Sequence, residues 1–267
     1  MTMRLVSSIR RMGGMITDLV IPRVCASCGV SIGLDGHVLC NRCATEMSRL
    51  VGGFYCETCG EDKHPHLLIE GCCGDCRLRK RGHLRFDRFI RVGRYAGALR
   101  AMILQFKHEI VLEHHLGNMM ADAVQSRVDS SEVDLWIPVP SHWYRRFRRR
   151  YQPTALLARQ TVRRFGGRVA PVLKMTHYVH QFHVNRALTR QARAEAISGA
   201  FKVVRGAPVA GRCVCLIDDV TNTGATLAEA KRTLRAAGAR RVLAAVLAKT
   251  SSLPEPDEAL KETLSNS

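Results

Sequence analysis

Residues 213–226 read CVCLIDDVTNTGAT. Cys213–Ile217 is a short apolar run with a turn signal, Gly211, before it, and it reads as a buried parallel strand. Thr226–Ala237 has helical spacing, and Gly238 stands at the expected position just past the helix end. Between them lie Asp218, Asp219, Val220, Thr221, Asn222, Thr223, Gly224 and Ala225. In open α/β sheets, ligands sit at the carboxyl ends of the strands. A loop entering a helix N-terminus offers several N–H groups and the positive end of the helix dipole, which suits a phosphate. Gly224 allows close backbone approach. The hydroxyls of Thr223 and Thr226 can add hydrogen bonds. Asp218 and Asp219 can accept from sugar hydroxyls and stand where a magnesium ion could help hold a pyrophosphate.

The surrounding chain extends this pattern. Val242–Leu247 is a second buried run, and Val133–Val139 is a third, bounded by Pro138 and Pro140. Residues 95–107, 110–127 and 154–165 have helical spacing, the last closed by Gly166-Gly167. Strands alternating with helices of this length predict a parallel α/β sheet. The spacing of Leu5, Ile9, Met12, Ile16 and Leu19 predicts a short amphipathic helix over residues 1–24 that packs on the protein. Gly13-Gly14 and Asp18 interrupt that segment, and no small-x-small site follows, so it reads poorly as an export signal. From Ser251 the chain reads SSLPEPDEALKETLSNS, a polar, proline-containing stretch expected to be a disordered tail.

Eleven cysteines is a high count for 267 residues, and nine of them fall between Cys25 and Cys76. Eight form Cys-x-x-Cys pairs: Cys25 with Cys28, Cys40 with Cys43, Cys56 with Cys59, and Cys73 with Cys76. Each such turn presents two thiolates on one side, and two turns close a tetrahedral zinc site. Four turns therefore predict two sites of four thiolates each, with no open coordination position, which marks the metal as structural. Cys72 is left over. A segment this small has little core of its own, so metal would supply much of its folding energy. Clustered pairs of this kind point to a reducing compartment, and we expect a cytoplasmic protein. No apolar run reaches the length of a spanning helix.

Forty-one Lys and Arg against twenty-three Asp and Glu give a formal charge of +18, which favours polyanionic partners. Two basic stretches stand out. Residues 77–94 carry Arg77, Arg79, Lys80, Arg81, Arg85, Arg88, Arg91 and Arg94. Residues 145–150 hold five arginines, with Trp143, Tyr144, Phe147 and Tyr151 interleaved or adjacent. Arginines can grip phosphates bidentately, and aromatics among them suit stacked bases of a single strand. His177, His180 and His183 lack an acidic partner at ligand spacing and read as surface or phosphate-loop residues. The expected organisation is a helix over 1–24, a double zinc ribbon with a basic linker over 25–89, an α/β domain over 90–250 and a tail over 251–267.

The 213–226 string resembles the phosphoribosyl pyrophosphate motif of type I phosphoribosyltransferases: four apolar residues, two acids, two spacers, then Thr-Gly-x-Thr. Joined to two cysteine tetrads, the chain resembles the ComF family, which couples a double zinc ribbon to a phosphoribosyltransferase-type domain. Tyr95–Arg100 with Ile103 and Lys107, Ile137-Pro138-Val139-Pro140 with the arginines that follow, Ala155–Ala158, and Gly199-Ala200-Phe201 carry that resemblance. The chain departs from the family pattern at Arg149–Pro153, at Asn222 in place of a threonine, and at Asn185 and Ala196. The resemblance implies that the loop after Pro140, with Arg145, Arg146 and Arg149, approaches a pyrophosphate together with Lys107. It implies Asp218 and Asp219 as the catalytic pair of a phosphoribosyl transfer, with Val220 to Thr226 holding the 5′-phosphate and magnesium accompanying the ligand. It also implies a role in DNA uptake, with single-stranded DNA and uptake-machinery proteins as partners. A metabolic phosphoribosyltransferase with another acceptor, and a non-catalytic adaptor, are the alternative readings.

Overall fold

The computed structural model describes residues 23–33, 37–78, 84–140, 151–176 and 195–251. Residues 1–22 of the expected helix over 1–24, Arg145, Arg146 and Arg149 with their neighbouring aromatics Trp143, Tyr144 and Phe147, the histidines at 177, 180 and 183, Asn185 and most of the tail lie outside the described residues.

In chain order, the regular elements are α1 (Asn41–Leu50), β1 (Leu68–Ile69), β2 (Cys72–Cys73), α2 (Gly74–Arg77), β3 (Arg88–Arg94), α3 (Gly97–Phe106), α4 (Glu113–Gln125), β4 (Leu135–Pro138), α5 (Pro153–Phe165), β5 (Arg168–Val169), β6 (Leu173–Met175), β7 (Phe201–Val203), β8 (Cys213–Thr221), α6 (Ala225–Ala236) and β9 (Arg241–Lys249). Five strands form one sheet in the order β3-β9-β8-β4-β5, and every neighbouring pair is parallel. In the central strands, Cys213–Ile217 of β8 and Val242–Ala248 of β9 are apolar and buried because both sheet faces are covered. Cys213, Cys215 and Ile217 alternate with Val214 and Leu216, and the two sets pack into separate cores on opposite faces. One face carries α1, α3, α4 and α5. The other carries α6 and the β6–β7 pair.

The N-terminal cysteine region straddles the β3 edge of this sheet. Cys25 and Cys43 pack into the first core with Met47 and Leu50 of α1. Cys56, Cys59, Cys73 and Cys76 pack into the second, with Phe86, Phe89 and Leu84. Residues 51–58 lie along β3 and pair with some of its outer hydrogen-bonding groups: Gly52 N–H donates to Val92 O at 2.8 Å, and Phe89 N–H donates to Glu57 O at 2.5 Å. An open strand edge is thereby capped by the same chain. The approach is close at Gly93, where a Cβ would stand 2.4 Å from the Leu50 carbonyl oxygen.

The expected basic linker ends sooner than its charge suggested. From Arg88 to Arg94 the chain is strand β3, buried at most positions. Arg91 itself is 2% exposed. Its guanidinium pairs with the Asp62 carboxylate and lies over the Tyr55 ring, 4.6 Å from the centroid. Arg94 reaches the same Asp62 oxygen at 3.3 Å. Burial alone would raise the Asp62 carboxyl, but the adjoining Arg91 guanidinium holds it below the usual carboxylate value. Charge on this stretch thus serves the seam between the cysteine region and the sheet rather than a solvated face.

Candidate phosphate site and cysteine tetrads

Strand β8 runs four residues beyond the expected Ile217. Asp218 pairs with Val246, Val220 with Ala248 and Thr221 with Lys249 of β9, so Asp218–Thr221 belong to the strand. The connection to α6 is then only Asn222, Thr223 and Gly224. Gly224 takes φ +76°, a conformation that favours glycine, and a Cβ there would stand 2.3 Å from Leu84 Cδ2 and would push that side chain aside. Thr223 Oγ1 accepts from Ala225 N–H at 3.4 Å, at the start of α6. This places a helix N-terminus, two hydroxyls and two carboxylates together at the carboxyl end of the sheet, the position where such folds take ligands.

The two acids differ. Asp218 accepts the Asp219 N–H at 2.9 Å, and Asp219 accepts the Val220 N–H at 2.6 Å. Burial pushes the Asp218 carboxyl well above the ordinary range, and the neighbouring Asp219 charge adds to the rise. Asp219 instead faces a cation: Lys107 Nζ stands 3.1 Å from its Oδ2, from the residue that follows α3. Lys107, Asp218, Asp219 and residues 220–226 therefore share one rim. The described residues on either side of 141–150 are held at the same rim. Val139 N–H donates to Ile217 O at 2.9 Å, and Val139 O accepts from Gln152 Nε2 at 3.2 Å and from Thr154 Oγ1 at 2.9 Å. Tyr151 Oη donates to the Phe106 carbonyl, next to Lys107.

The cysteines assemble into two sets: Cys25, Cys28, Cys40 and Cys43, and Cys56, Cys59, Cys73 and Cys76, with the sulfur atoms of each set within 4.8 Å of one another. Cys28 and Cys40 sulfurs are 3.8 Å apart, Cys56 and Cys76 3.8 Å, and Cys59 and Cys73 3.9 Å. Four thiolates at about 2.3 Å from a tetrahedral zinc are about 3.8 Å apart along each edge, so the spacing fits that ion. Backbone N–H groups also point at the sulfurs, as a thiolate requires: Cys40 N–H at Cys25 Sγ and Cys73 N–H at Cys56 Sγ, both 3.3 Å. Cys72 is outside both sets and accepts from the Thr58 hydroxyl at 3.6 Å. The sets differ in exposure: Cys28 is exposed and Cys40 half-buried, whereas all four of the second set are buried.

Several residues that hold the site gave no signal of their own. Lys249, the last residue of β9, is 1% exposed and donates to the Asn222 carbonyl at 3.1 Å. Its other partner is Glu61, at 3.0 Å. Thr250 Oγ1 donates to Asn222 Oδ1 at 2.8 Å. A lysine closing an apolar strand reads as a solvent-exposed end, and only the tertiary packing of the cysteine region buries it.

The comparisons with known proteins match two parts of the chain. Residues 16–77 match the double zinc ribbon domain, and residues 160–267 match the phosphoribosyl transferase domain. A curated relative, Competence protein F of Haemophilus influenzae, is 25% identical over 224 residues, covering 82% of this chain and 93% of that protein. Among solved structures, glutamine phosphoribosylpyrophosphate amidotransferase from B. subtilis, complexed with ADP and GMP, is 23% identical with a TM-score of 0.34. That match covers 50% of this chain and 25% of the amidotransferase, so the chain spans about a quarter of that enzyme's length. The purine phosphoribosyltransferase of Pyrococcus horikoshii is 16% identical with a TM-score of 0.33, covering 53% of this chain and 77% of that one.

A double zinc ribbon clasped on the edge of a parallel phosphoribosyltransferase-type sheet defines the class of this protein. Within that class the chain is similar to Competence protein F of Haemophilus influenzae along most of both lengths. Among the described residues, no helix is long and apolar enough to cross a membrane.

Proposed function

We propose that this chain binds phosphoribosyl pyrophosphate, or a ligand built on the same phosphates, at the rim formed by Asp218–Thr226 and Lys107. The observation that carries this reading is the Lys107–Asp219 pair beside a helix N-terminus at the carboxyl end of the sheet. Residues 222–226 hold the 5′-phosphate through backbone N–H groups and the hydroxyls of Thr223 and Thr226. Asp218 and Asp219 take the ribose hydroxyls, and Lys107 turns from Asp219 toward the pyrophosphate. Arg145, Arg146 and Arg149 complete the pyrophosphate side. Magnesium neutralises the pyrophosphate when it accompanies the ligand, and the acid pair supplies the hard oxygen donors it prefers. Where transfer occurs, Asp218 and Asp219 would steady the positive charge that grows on the ribose ring as pyrophosphate leaves.

The biological role we propose is handling single-stranded DNA during uptake, in the cytoplasm and together with uptake-machinery proteins. The name of the Haemophilus relative, the +18 charge and the arginine–aromatic composition of residues 143–151 support it. The two zinc ions are structural in this reading, since four thiolates leave no open position. Fluorescence anisotropy with a labelled oligothymidine tests the DNA arm. Log affinity should fall linearly with log salt. The triple substitution Arg145→Ala, Arg146→Ala, Arg149→Ala should make that slope shallower by about 2, at roughly 0.7 per phosphate contact on a single strand. An unchanged slope, or no binding at low salt, refutes the DNA role and leaves the phosphate site standing alone as a metabolic transferase.

A further inference from the structure

We infer that Glu61 and Lys249 are positioning residues of the phosphate loop, through which the second cysteine tetrad holds that loop in its binding shape. This rests on the reading of residues 218–226 as a phosphate site. Lys249 is 1% exposed, and an ammonium in such a place persists only where partners replace its water. It has two. One is the Glu61 carboxylate, 3.0 Å away, and the other is the main-chain carbonyl of Asn222, 3.1 Å away. Asn222 is the first residue of the three-residue connection between β8 and α6.

Glu61 in turn belongs to the metal knuckle. Its N–H is directed at the Cys59 sulfur, and its carbonyl accepts the Cys56 N–H at 2.9 Å. One residue thus reads the conformation of the Cys56–Cys59 turn with its backbone and passes it to the loop with its side chain. A second contact acts in parallel. Leu84, whose carbonyl lies 4.0 Å from Cys76 Sγ, packs where a Cβ on Gly224 would be. The loop is held at its first and last residues, both times from the second tetrad. The first tetrad packs into the core on the opposite face of the sheet. Fixing Asn222 from below leaves the N–H groups of the connection and of the first turn of α6 aligned for a ligand before it arrives.

The test uses the full chain with zinc bound, as wild type, Glu61→Gln, Lys249→Met and the conservative Lys249→Arg. Three quantities are read on each: zinc per chain, calorimetric affinity for phosphoribosyl pyrophosphate with magnesium, and amide hydrogen exchange at residues 222–226. Glu61→Gln should keep both zinc ions, lose about tenfold in affinity, the scale of one charge-assisted hydrogen bond, and exchange faster at 222–226. Lys249→Met should do the same, and Lys249→Arg should recover most of the affinity. Wild-type affinity and wild-type exchange in Glu61→Gln and Lys249→Met would overturn the inference. If wild type takes up no ligand, the phosphate reading fails, and exchange at 222–226 still decides the tether: faster in both variants supports it, unchanged overturns it.

Discussion

Lys107 and Asp219 meet 3.1 Å apart across the carboxyl rim of the sheet, both mostly buried, one following helix α3 and the other near the end of strand β8. The pair joins two segments that are distant in sequence and fixes one cation of the rim beside the loop to α6. A single ion pair that keeps some contact with solvent contributes about 0–1 kcal/mol to stability, so its placement at the rim is better explained by the ligand than by the fold. Lys107→Met should therefore change the urea midpoint little while weakening phosphoribosyl pyrophosphate binding about tenfold or more, measured by calorimetry. A variant that loses stability and keeps its affinity would reverse that assignment.

Asp218 should make stability depend on pH in a defined direction. Its folded pKa is raised, by burial first and by Asp219 second. The folded state then binds its proton more tightly than the unfolded state. The associated stability is fully present below the ordinary aspartate pKa of about 4 and is lost as pH rises through the raised folded value. Asp218→Asn removes this loss. Its melting temperature near neutral pH should exceed that of wild type by a few degrees, at about 2–4 °C per kcal/mol for a domain of this size, with the gap closing toward about pH 4. The same variant should bind the phosphate ligand less well, a trade of function against stability.

The seam between the ribbon and the sheet depends on Asp62. Arg91 is 2% exposed, and Asp62 supplies the carboxylate that pairs with it. Asp62→Ala leaves a buried guanidinium without its partner and should cost about 3 kcal/mol in equilibrium unfolding. A cost below about 1 kcal/mol, the level of an exposed pair, would show that water takes over the role of Asp62.

The two tetrads should release zinc unequally. Cys28 is exposed and Cys40 half-buried, but the second tetrad is enclosed under Leu84, Phe86 and Phe89. A chromogenic chelator should withdraw zinc in two resolved phases of equal amplitude, and Cys28→Ser should abolish the fast one. A single phase would mean that the ribbon opens as one unit.

Much of the fold is legible in the local pattern, for physical reasons. Cys213–Ile217 of β8 and Val242–Leu247 of β9 are buried on both faces, so they show as unbroken apolar runs, and α6 ends where Gly238 takes φ +89°. The tetrads follow from spacing alone, including the exclusion of Cys72. Strand β3 does not show this way. Arg88, Arg91 and Arg94 give it the composition of a solvated linker, and the carboxylate that makes Arg91 tolerable comes from Asp62 on the ribbon. The acids of β8 mislead in the opposite sense. They suggest a loop, yet the register with Val246 and Ala248 keeps residues 218–221 in the strand. At the site, Lys107 is legible only through family resemblance, and Lys249 with Glu61 not at all, because their burial is a property of ribbon docking.

A crystal soaked with phosphoribosyl pyrophosphate and magnesium decides whether the rim at Asp218–Thr226 is a phosphate site. Density for the 5′-phosphate is expected against the main chain of residues 223–226, with ribose oxygens at Asp218 and Asp219 and Lys107 moved from Asp219 toward the pyrophosphate. A ligand bound elsewhere, or an empty rim with the Lys107–Asp219 pair intact at saturating ligand, would contradict it.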